Sequence, residues 1–506
     1  MSLTTNTPSE KLAHSAIISF LGSGFAAVAA LLLTIMVGRA LGAEGTGLFY
    51  LAVGLFTIAS QVLRLGSNSA VIRTIATQRA LGVKGHATSV LYIAVLPVLL
   101  ISLGAAAAIV LLAEPMAGFF VDAGQQEDFA SLLRQLAFLI SLSAVLAVLQ
   151  TLTRMLNSVL MFTMLQNVLL PAGRVALVGL ALWWGMDAFE VVFAWALSIP
   201  FWVLVTVGIL LPKLREDRKL RERRLAPGTT REFWNFSASR GVGAALEICL
   251  EWVDVLLVAA LRSPAEAGIY AVVTRIVRAG QIIDRAMRVA VSPKIAHHLA
   301  LGENNAVRAL HTKATQTMIL VAWPFYLTLI FFGQPVLGFF GPEFISGTQV
   351  LAVAALGIMI LTSTGMLQSL ILMGGRSSWQ MLVKAISLTL SVGLNIVLIP
   401  WWGIMGAAIT WTAVIILDAS ICGFLVYRRM RIGLDLRYVL RSILVALAVF
   451  GGGWLVLRLC GWHSPGALLL GAVMLALVYL GAIALLRHWL GLGELKLASF
   501  TGRKKL

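Results

Sequence analysis

Residues 13–37 read AHSAIISFLGSGFAAVAALLLTIMV, and this stretch decides the fold class. A polar segment, residues 1–11, precedes it. A membrane-crossing helix needs roughly 20 mostly apolar residues, whereas the apolar region of a cleavable signal has about 7–15. The stretch therefore reads as a first membrane span and not as a removable leader.

The same pattern recurs along the chain. Fourteen spans are expected near 13–39, 46–72, 87–112, 129–155, 162–184, 188–211, 233–261, 267–291, 311–333, 347–373, 378–400, 404–427, 438–458 and 466–487. Composition agrees: of 506 residues, 59% are hydrophobic and 12% charged, against about 25% charge in soluble proteins. With a mean hydropathy of +0.92, soluble enzymes and nucleic-acid-binding modules are excluded. The net charge of +17 would suggest nucleic acid in a soluble chain, but here it can sit in loops on one side of a bilayer. Cys249, Cys422 and Cys460 lie far apart in apolar segments, with neither metal spacing nor a disulfide framework.

Alternate loops divide by charge. One set (41–45, 114–128, 185–190, 262–266, 334–346, 401–403 and 459–465) is acidic, and its one basic residue is Arg262. The other set includes 213–232, with Lys213, Arg215, Arg218, Lys219, Arg221, Arg223, Arg224 and Arg231. It also holds Arg428, Arg429 and Arg431 and a tail with Arg503, Lys504 and Lys505. The positive-inside rule makes the second set cytoplasmic, together with both termini. The 213–232 stretch is either a regulatory or lipid-binding patch or, more plainly, a linker that sets topology and touches anionic headgroups.

Four markers repeat in order. Gly47-Leu48-Phe49 matches Gly268-Ile269-Tyr270, and Leu81-Gly82 matches Leu301-Gly302. Gly118-Phe119-Phe120 matches Gly338-Phe339-Phe340, and Trp183-Trp184-Gly185 matches Trp401-Trp402-Gly403. The offsets are 221, 220, 220 and 218. The chain is expected to be all-α and polytopic: a six-helix bundle (1–212), a basic cytoplasmic linker (213–232), a second six-helix bundle (233–430), and two extra helices with a basic tail (431–506). Six spans per copy make the repeats parallel, with a cavity between them and the tryptophan pairs at the outer boundary.

An Arg, Lys or Asp at a span centre costs roughly 2.5–3.5 kcal/mol. On the seventh span Glu247, Glu251 and Asp254 are spaced four then three and share a face, as do Arg275, Arg278 and Arg285 on the eighth. A turn near 264–265 puts Asp254 level with Arg275, and Glu251 level with Arg278. Two readings fit: a ladder of buried ion pairs, or the charged wall of a hydrated cavity. Arg64 plus the offset gives Arg285, and Arg73 gives Lys294, so two cations recur at pseudo-symmetric positions. Arg64 and Arg174 have no acidic residue nearby on their own spans. Such arginines in a wet cleft suit a phosphate or carboxylate, which guanidinium grips bidentately. Lys384 and Asp418 are expected to form a structural pair. Glu247, Glu251 and Asp254 are the candidates for H+ or Na+ coupling. His297, His298 and His311 are expected to be solvated. There is no nucleotide-binding P-loop, no metal site and no cofactor signature. The longest loop on the acidic side has about fifteen residues, too few to hold a polymerase or ligase active site.

Two stretches resemble the polysaccharide (O-antigen type) flippase family of the multidrug/oligosaccharidyl-lipid/polysaccharide exporter superfamily. These are Gly38-Arg39-Ala40-Leu41-Gly42-Ala43-Glu44-Gly45-Thr46-Gly47-Leu48-Phe49-Tyr50 and Asn395-Ile396-Val397-Leu398-Ile399-Pro400-Trp401-Trp402-Gly403-Ile404-Met405-Gly406-Ala407-Ala408. The resemblance covers roughly 10–430 and implies two six-helix bundles around a cavity open alternately to each side. It implies a substrate of polyprenyl-diphosphate-linked oligosaccharide, moved to the outer leaflet of a bacterial plasma membrane. The implied partners are membrane lipids, a polysaccharide polymerase and glycosyltransferases, with no nucleic acid. Cavity arginines on the second and eighth spans are implied to hold the diphosphate, which points to Arg64, Arg278 and Arg285. Many members of the family stop near twelve helices, so the last two spans depart from its pattern. A lipid II flippase, a drug/cation antiporter of the same fold and a non-transporting assembly scaffold are the rival readings.

Overall fold

A computed structural model of the chain describes residues 8–83, 85–219, 228–375, 377–462 and 464–492. Arg221, Arg223 and Arg224 of the predicted linker, and Arg503, Lys504 and Lys505 of the tail, lie outside the described residues. Every regular element among the described residues is helical. The chain forms two compact units, Met1–Val272 with Leu388–Ala407, and Val273–Ser387 with Ala408–Leu506.

The first unit contains α1 (Pro8–Leu63), α2 (Ser67–Ala80), α3 (Ala87–Leu111), α4 (Ala113–Phe120), α5 (Gln126–Leu156), α6 (Val159–Thr163), α7 (Leu170–Trp183), α8 (Ala188–Lys219) and α9 (Thr229–Leu261). It also takes the start of α10 (Pro264–Ala279). α5 is its core: Leu136, Ala144, Val148 and Leu152 are all buried, and α3 and α8 pack beside it. An apolar helix covered on several sides can carry hydroxyls only if they are satisfied locally. Thr151 and Thr153 accordingly donate to the carbonyls of Ala147 and Leu149, and Ser141 donates to that of Ser102 at 2.9 Å.

The second unit contains α11 (Ile282–Ala300), α12 (Asn304–Phe331), α13 (Gly333–Gly338), α14 (Thr348–Thr364) and α15 (Leu367–Met373). α16 (Ser377–Met430) contributes both ends, and α17 (Leu436–Leu447), α18 (Gly453–Leu459) and α19 (Pro465–Leu485) complete it. One apolar cluster joins Ile295, Val307, Met318, Leu370, Cys422 and Val426. The last helices are tied to α12 by polar bonds: Gln316 donates to Leu490 O at 2.6 Å, and Tyr479 to Leu320 O at 3.1 Å.

α1 and α16 are each two helices joined at a corner. Gly42 (φ 65°, ψ −168°) and Gly403 (φ 56°, ψ −139°) turn the chain in a region essentially closed to residues with a Cβ. Among the described residues, ten helical stretches are long and apolar enough to cross a membrane, and two of them, Ile18–Ala80 and Ser378–Met430, contain these corners. α9, with four carboxylates, and α10 and α11, broken at Gly280, are not among the ten. The fourteen expected spans are therefore not a count that length and composition alone return. The chain is a multi-pass membrane protein.

The repeated markers fold alike. Gly82 (φ 71°) and Gly302 (φ 72°) each end a helix, with the next residue's N–H reaching back to Gln78 O and His298 O, 2.9 Å in both. The short helices α4 and α13 begin at positions 113 and 333, again 220 apart. Trp183, Trp184, Trp401 and Trp402 are all exposed, as interfacial anchors are.

Candidate functional site

Arg64 stands where α1 breaks before α2. Leu65 (φ 53°) and Gly66 (φ 72°) form the break, and α9 braces it. Ser237 donates to Leu65 O at 2.7 Å, and a Cβ on Gly66 would lie 2.3 Å from Ser237 O. The break therefore fixes where the Arg64 guanidinium leaves the helix. Its Nε is buried with no hydrogen-bond partner.

Arg174 sits on α7, just after a one-turn π-helical segment, Met164–Leu169. Such segments widen a helix locally and re-aim the side chains of the next turn. The Arg174 guanidinium carbon stacks 3.9 Å from the ring centroid of Trp195 on α8. Trp195 is held edge-to-face by Phe56, 5.4 Å away. Arg174 Nε is also buried without a hydrogen-bond partner. The positive charge of Arg64 bears on Arg174, and no carboxylate among the described residues forms an ion pair with either. Two unpaired arginines cost roughly 5–7 kcal/mol on insertion scales. That is a large sum beside a net folding stability of about 5–15 kcal/mol. An anion between them would offset it.

The three candidate carboxylates of α9, Glu247, Glu251 and Asp254, fare differently. Asp254 is buried and accepts from Asn395 Nδ2 (2.8 Å), Ser391 Oγ (3.1 Å) and Tyr270 Oη (3.4 Å). Asn395 Oδ1 is buried beside this network with no hydrogen-bond partner. Three neutral donors thus hold the Asp254 carboxylate, which has a further partner as well. Glu251 is half-buried and has a partner, and Glu247 is exposed. Among the described residues no three His, Cys, Asp or Glu side chains cluster as a metal site. Ser391 and Asn395 were not legible as site residues. Their one signal is a spacing of four in a span that also carries Lys384.

In the second unit, Arg278 on α10 lies 6.0 Å from the Trp411 ring, and Arg275 and Arg278 both have further partners. Arg285 is exposed in the first turn of α11. The break before α11 falls at Gly280, whereas the break beside Arg64 falls at 65–66. Arg64 thus matches Arg285 in sequence offset, but Arg278 in its position relative to the break.

Asp284 and Arg288 pair at 2.7 Å, and Arg288 also donates to Gln368 (3.2 Å). Gln368 passes the chain on to Asp418 at 2.8 Å, and Lys384 meets the other Asp418 oxygen at 3.2 Å. The expected Lys384–Asp418 pair is present, within a longer neutral network that spacing did not reveal. One expectation is corrected. His311 is 1% exposed, with Nε2 3.3 Å from Thr364 O, because α12 starts at Asn304 and carries residue 311 two turns inside.

The sequence profile of one family, described as polysaccharide biosynthesis protein, matches residues 12–298. The probable low-salt glycan biosynthesis flippase Agl15 of Haloferax volcanii is 23% identical over 233 residues, 44% of this chain. That match spans 46% of the relative, a little under half its length. Among solved structures, lipid II flippase MurJ in an inward closed conformation gives a TM-score of 0.73 at 13% identity, covering 94% of this chain and 99% of that one. An inward-facing multidrug resistance MATE family transporter of the MOP superfamily gives 0.63 at 16%, covering 82% and 98%. Likeness at such identities is one of fold.

Proposed function

The chain belongs to the polysaccharide biosynthesis protein family, and on that premise we propose that it is a flippase for polyprenyl-diphosphate-linked oligosaccharide. It moves this substrate from the cytoplasmic to the outer leaflet of a bacterial plasma membrane, for surface polysaccharide assembly. A sugar–diphosphate head cannot cross hydrocarbon unaided. A cationic, wet passage lowers that barrier while the apolar tail stays in lipid.

The carrying observation is Arg64 and Arg174, each with a buried Nε that has no hydrogen-bond partner, and neither in an ion pair among the described residues. Their two charges match a diphosphate, and Arg174 is stacked on the Trp195 ring. In the second unit, Arg275, Arg278 and Arg285 are the candidates for holding the same group. Counting both arms of each broken helix, and adding α9 and α10–α11 as crossings made tolerable by paired charge, gives fourteen spans. The first twelve form two parallel repeats divided at 213–232, both termini are cytoplasmic, and the repeats alternate access. Asp254 couples the cycle to H+ or Na+, its charge state or bound cation altering the hold on Ser391 and Asn395. A polymerase and glycosyltransferases supply and consume the lipid-linked sugar.

A lipid II flippase is the second reading, favoured by the 94% coverage of this chain by that fold. Both readings share a diphosphate, so the sugar decides between them. The test is flipping of fluorescent polyprenyl-diphosphate oligosaccharides and of lipid II in liposomes holding the purified chain, with and without an ion gradient. Arg64→Ala and Arg174→Ala should each slow flipping at least about tenfold, the equivalent of about 1.4 kcal/mol, while the protein stays monodisperse. Undiminished rates in both variants would overturn the assignment.

A further inference from the structure

A cavity of about 590 Å³ opens in the first unit where α7 ends and α8 begins, walled by α5, α7 and α8. It contains neither Arg64 nor Arg174. Its aliphatic lining is Leu132, Leu177, Leu180 and Leu197, of which Leu132 is buried and Leu180 and Leu197 are exposed. The exposed carboxylates of Asp128, Asp187 and Glu190 line it too, together with Trp184, Phe189 and Phe193. No lysine or arginine lines it. The one arginine nearby on α5, Arg134, is turned to Glu114 at 2.6 Å.

The carboxylates are held in place. The Asp187 N–H donates to Glu190 Oε2 (3.2 Å) and the Glu190 N–H to Asp187 Oδ1 (2.9 Å), a reciprocal cap at the start of α8. One oxygen of each stays available. Asp128 has no hydrogen-bond or ion-pair partner among the described residues.

We propose that this cavity binds a lipophilic organic cation, with its charge at the three carboxylates and its apolar body among the aromatic and leucine side chains. The volume is that of a site for a drug-sized molecule. Aromatic faces and carboxylates attract a bulky cation together. A bare metal ion would gain nothing from the leucine side chains. A phospholipid would set its phosphate against three negative charges with no base to receive it. A neutral sugar would not call for three carboxylates. The site is independent of the flippase reading, and it holds the acidic, aromatic chemistry that the arginine pair lacks.

The experiment is equilibrium dialysis of tetraphenylphosphonium against the full-length chain in neutral detergent, with tetraphenylborate, the same shape with opposite charge, as the comparison. The cation should bind saturably, and the anion should neither bind this site nor compete. Asp128→Asn combined with Glu190→Gln should weaken cation binding tenfold or more, since glutamine keeps the oxygen that accepts the Asp187 N–H. Arg64→Ala should leave it unchanged, which separates the site from the diphosphate passage. If the double variant does not fold, Leu177→Trp puts a bulkier side chain into the cavity without touching a charge and should abolish binding. No saturable binding, equal affinity for the borate, or full binding by the folded neutralised or filled variant would each overturn the proposal.

Discussion

Gly47 and Gly268 meet backbone to backbone, and the contact is reciprocal. A Cβ on Gly47 would fall 1.7 Å from Pro264 O, and one on Gly268 would fall 2.0 Å from Ala43 O. Positions 43 and 264 are separated by the same 221 residues as 47 and 268. Equivalent atoms of two matching helix starts therefore face each other, as they do across a two-fold axis. Alanine at either position must part the helices, since a backbone oxygen cannot rotate away.

We therefore expect Gly47→Ala and Gly268→Ala each to destabilise the chain by about 1–3 kcal/mol, the usual range for overpacking. Gly82→Ala meets open space and should cost only about 1 kcal/mol, for its left-handed backbone. Thermal unfolding in detergent, followed by size-exclusion fluorescence, should rank the three variants in that order. A more harmful Gly82→Ala would contradict the close approach.

Trp195→Leu removes the aromatic face under Arg174 while keeping an apolar side chain. Cation–π contacts contribute about 0.5–2 kcal/mol. Binding of a polyprenyl diphosphate should weaken by about 2- to 30-fold, with an unfolding temperature close to that of the parent. Titration calorimetry against the diphosphate measures the first, and a thermal melt the second.

Asn395→Leu deprives Asp254 of a 2.8 Å hydrogen bond. Leaving a buried acceptor short of a donor costs about 1–3 kcal/mol. The melt should fall accordingly. Asp254→Asn should instead fold and bind substrate, but flip it at a rate no longer raised by an ion gradient. Gradient-dependent flipping by Asp254→Asn would remove the coupling role.

Lys384→Met leaves Asp418 with Gln368 as its remaining hydrogen-bond donor. Breaking a buried pair on one side costs about 3–5 kcal/mol, whereas replacing both partners by apolar groups can be neutral. The double variant Lys384→Met with Asp418→Leu should therefore melt above Lys384→Met alone. The reverse order would show that the pair is not an electrostatic unit.

The residues proposed for the site are picked out by the sequence one at a time. Arg64, Arg174 and Asp254 stood out because charge in an apolar run is costly wherever it falls. What spacing could not supply was the partner of each. The offset joined Arg64 to Arg285, yet the break beside Arg64 and the break at Gly280 fall at different points, because Leu65 and Gly66 turn the chain there while α10 runs on to Ala279. His311 was misread because the start of α12 lies seven residues before it, and a helix start in a charged connection leaves little trace in hydropathy.

The sequence by itself determined the class of molecule: hydrocarbon forces every backbone group into a helix, so runs of apolar residues declare the spans. It also determined the repeat markers and the identity of the intramembrane charges. The tertiary structure decided which of them meet. Asp254 takes its donors from residues 137 and 141 positions away, and Arg174 takes its aromatic support from a different helix. Hydropathy fixes that a helix crosses, but the direction in which each side chain points is set by how the helices are rotated and packed, and no single span encodes that.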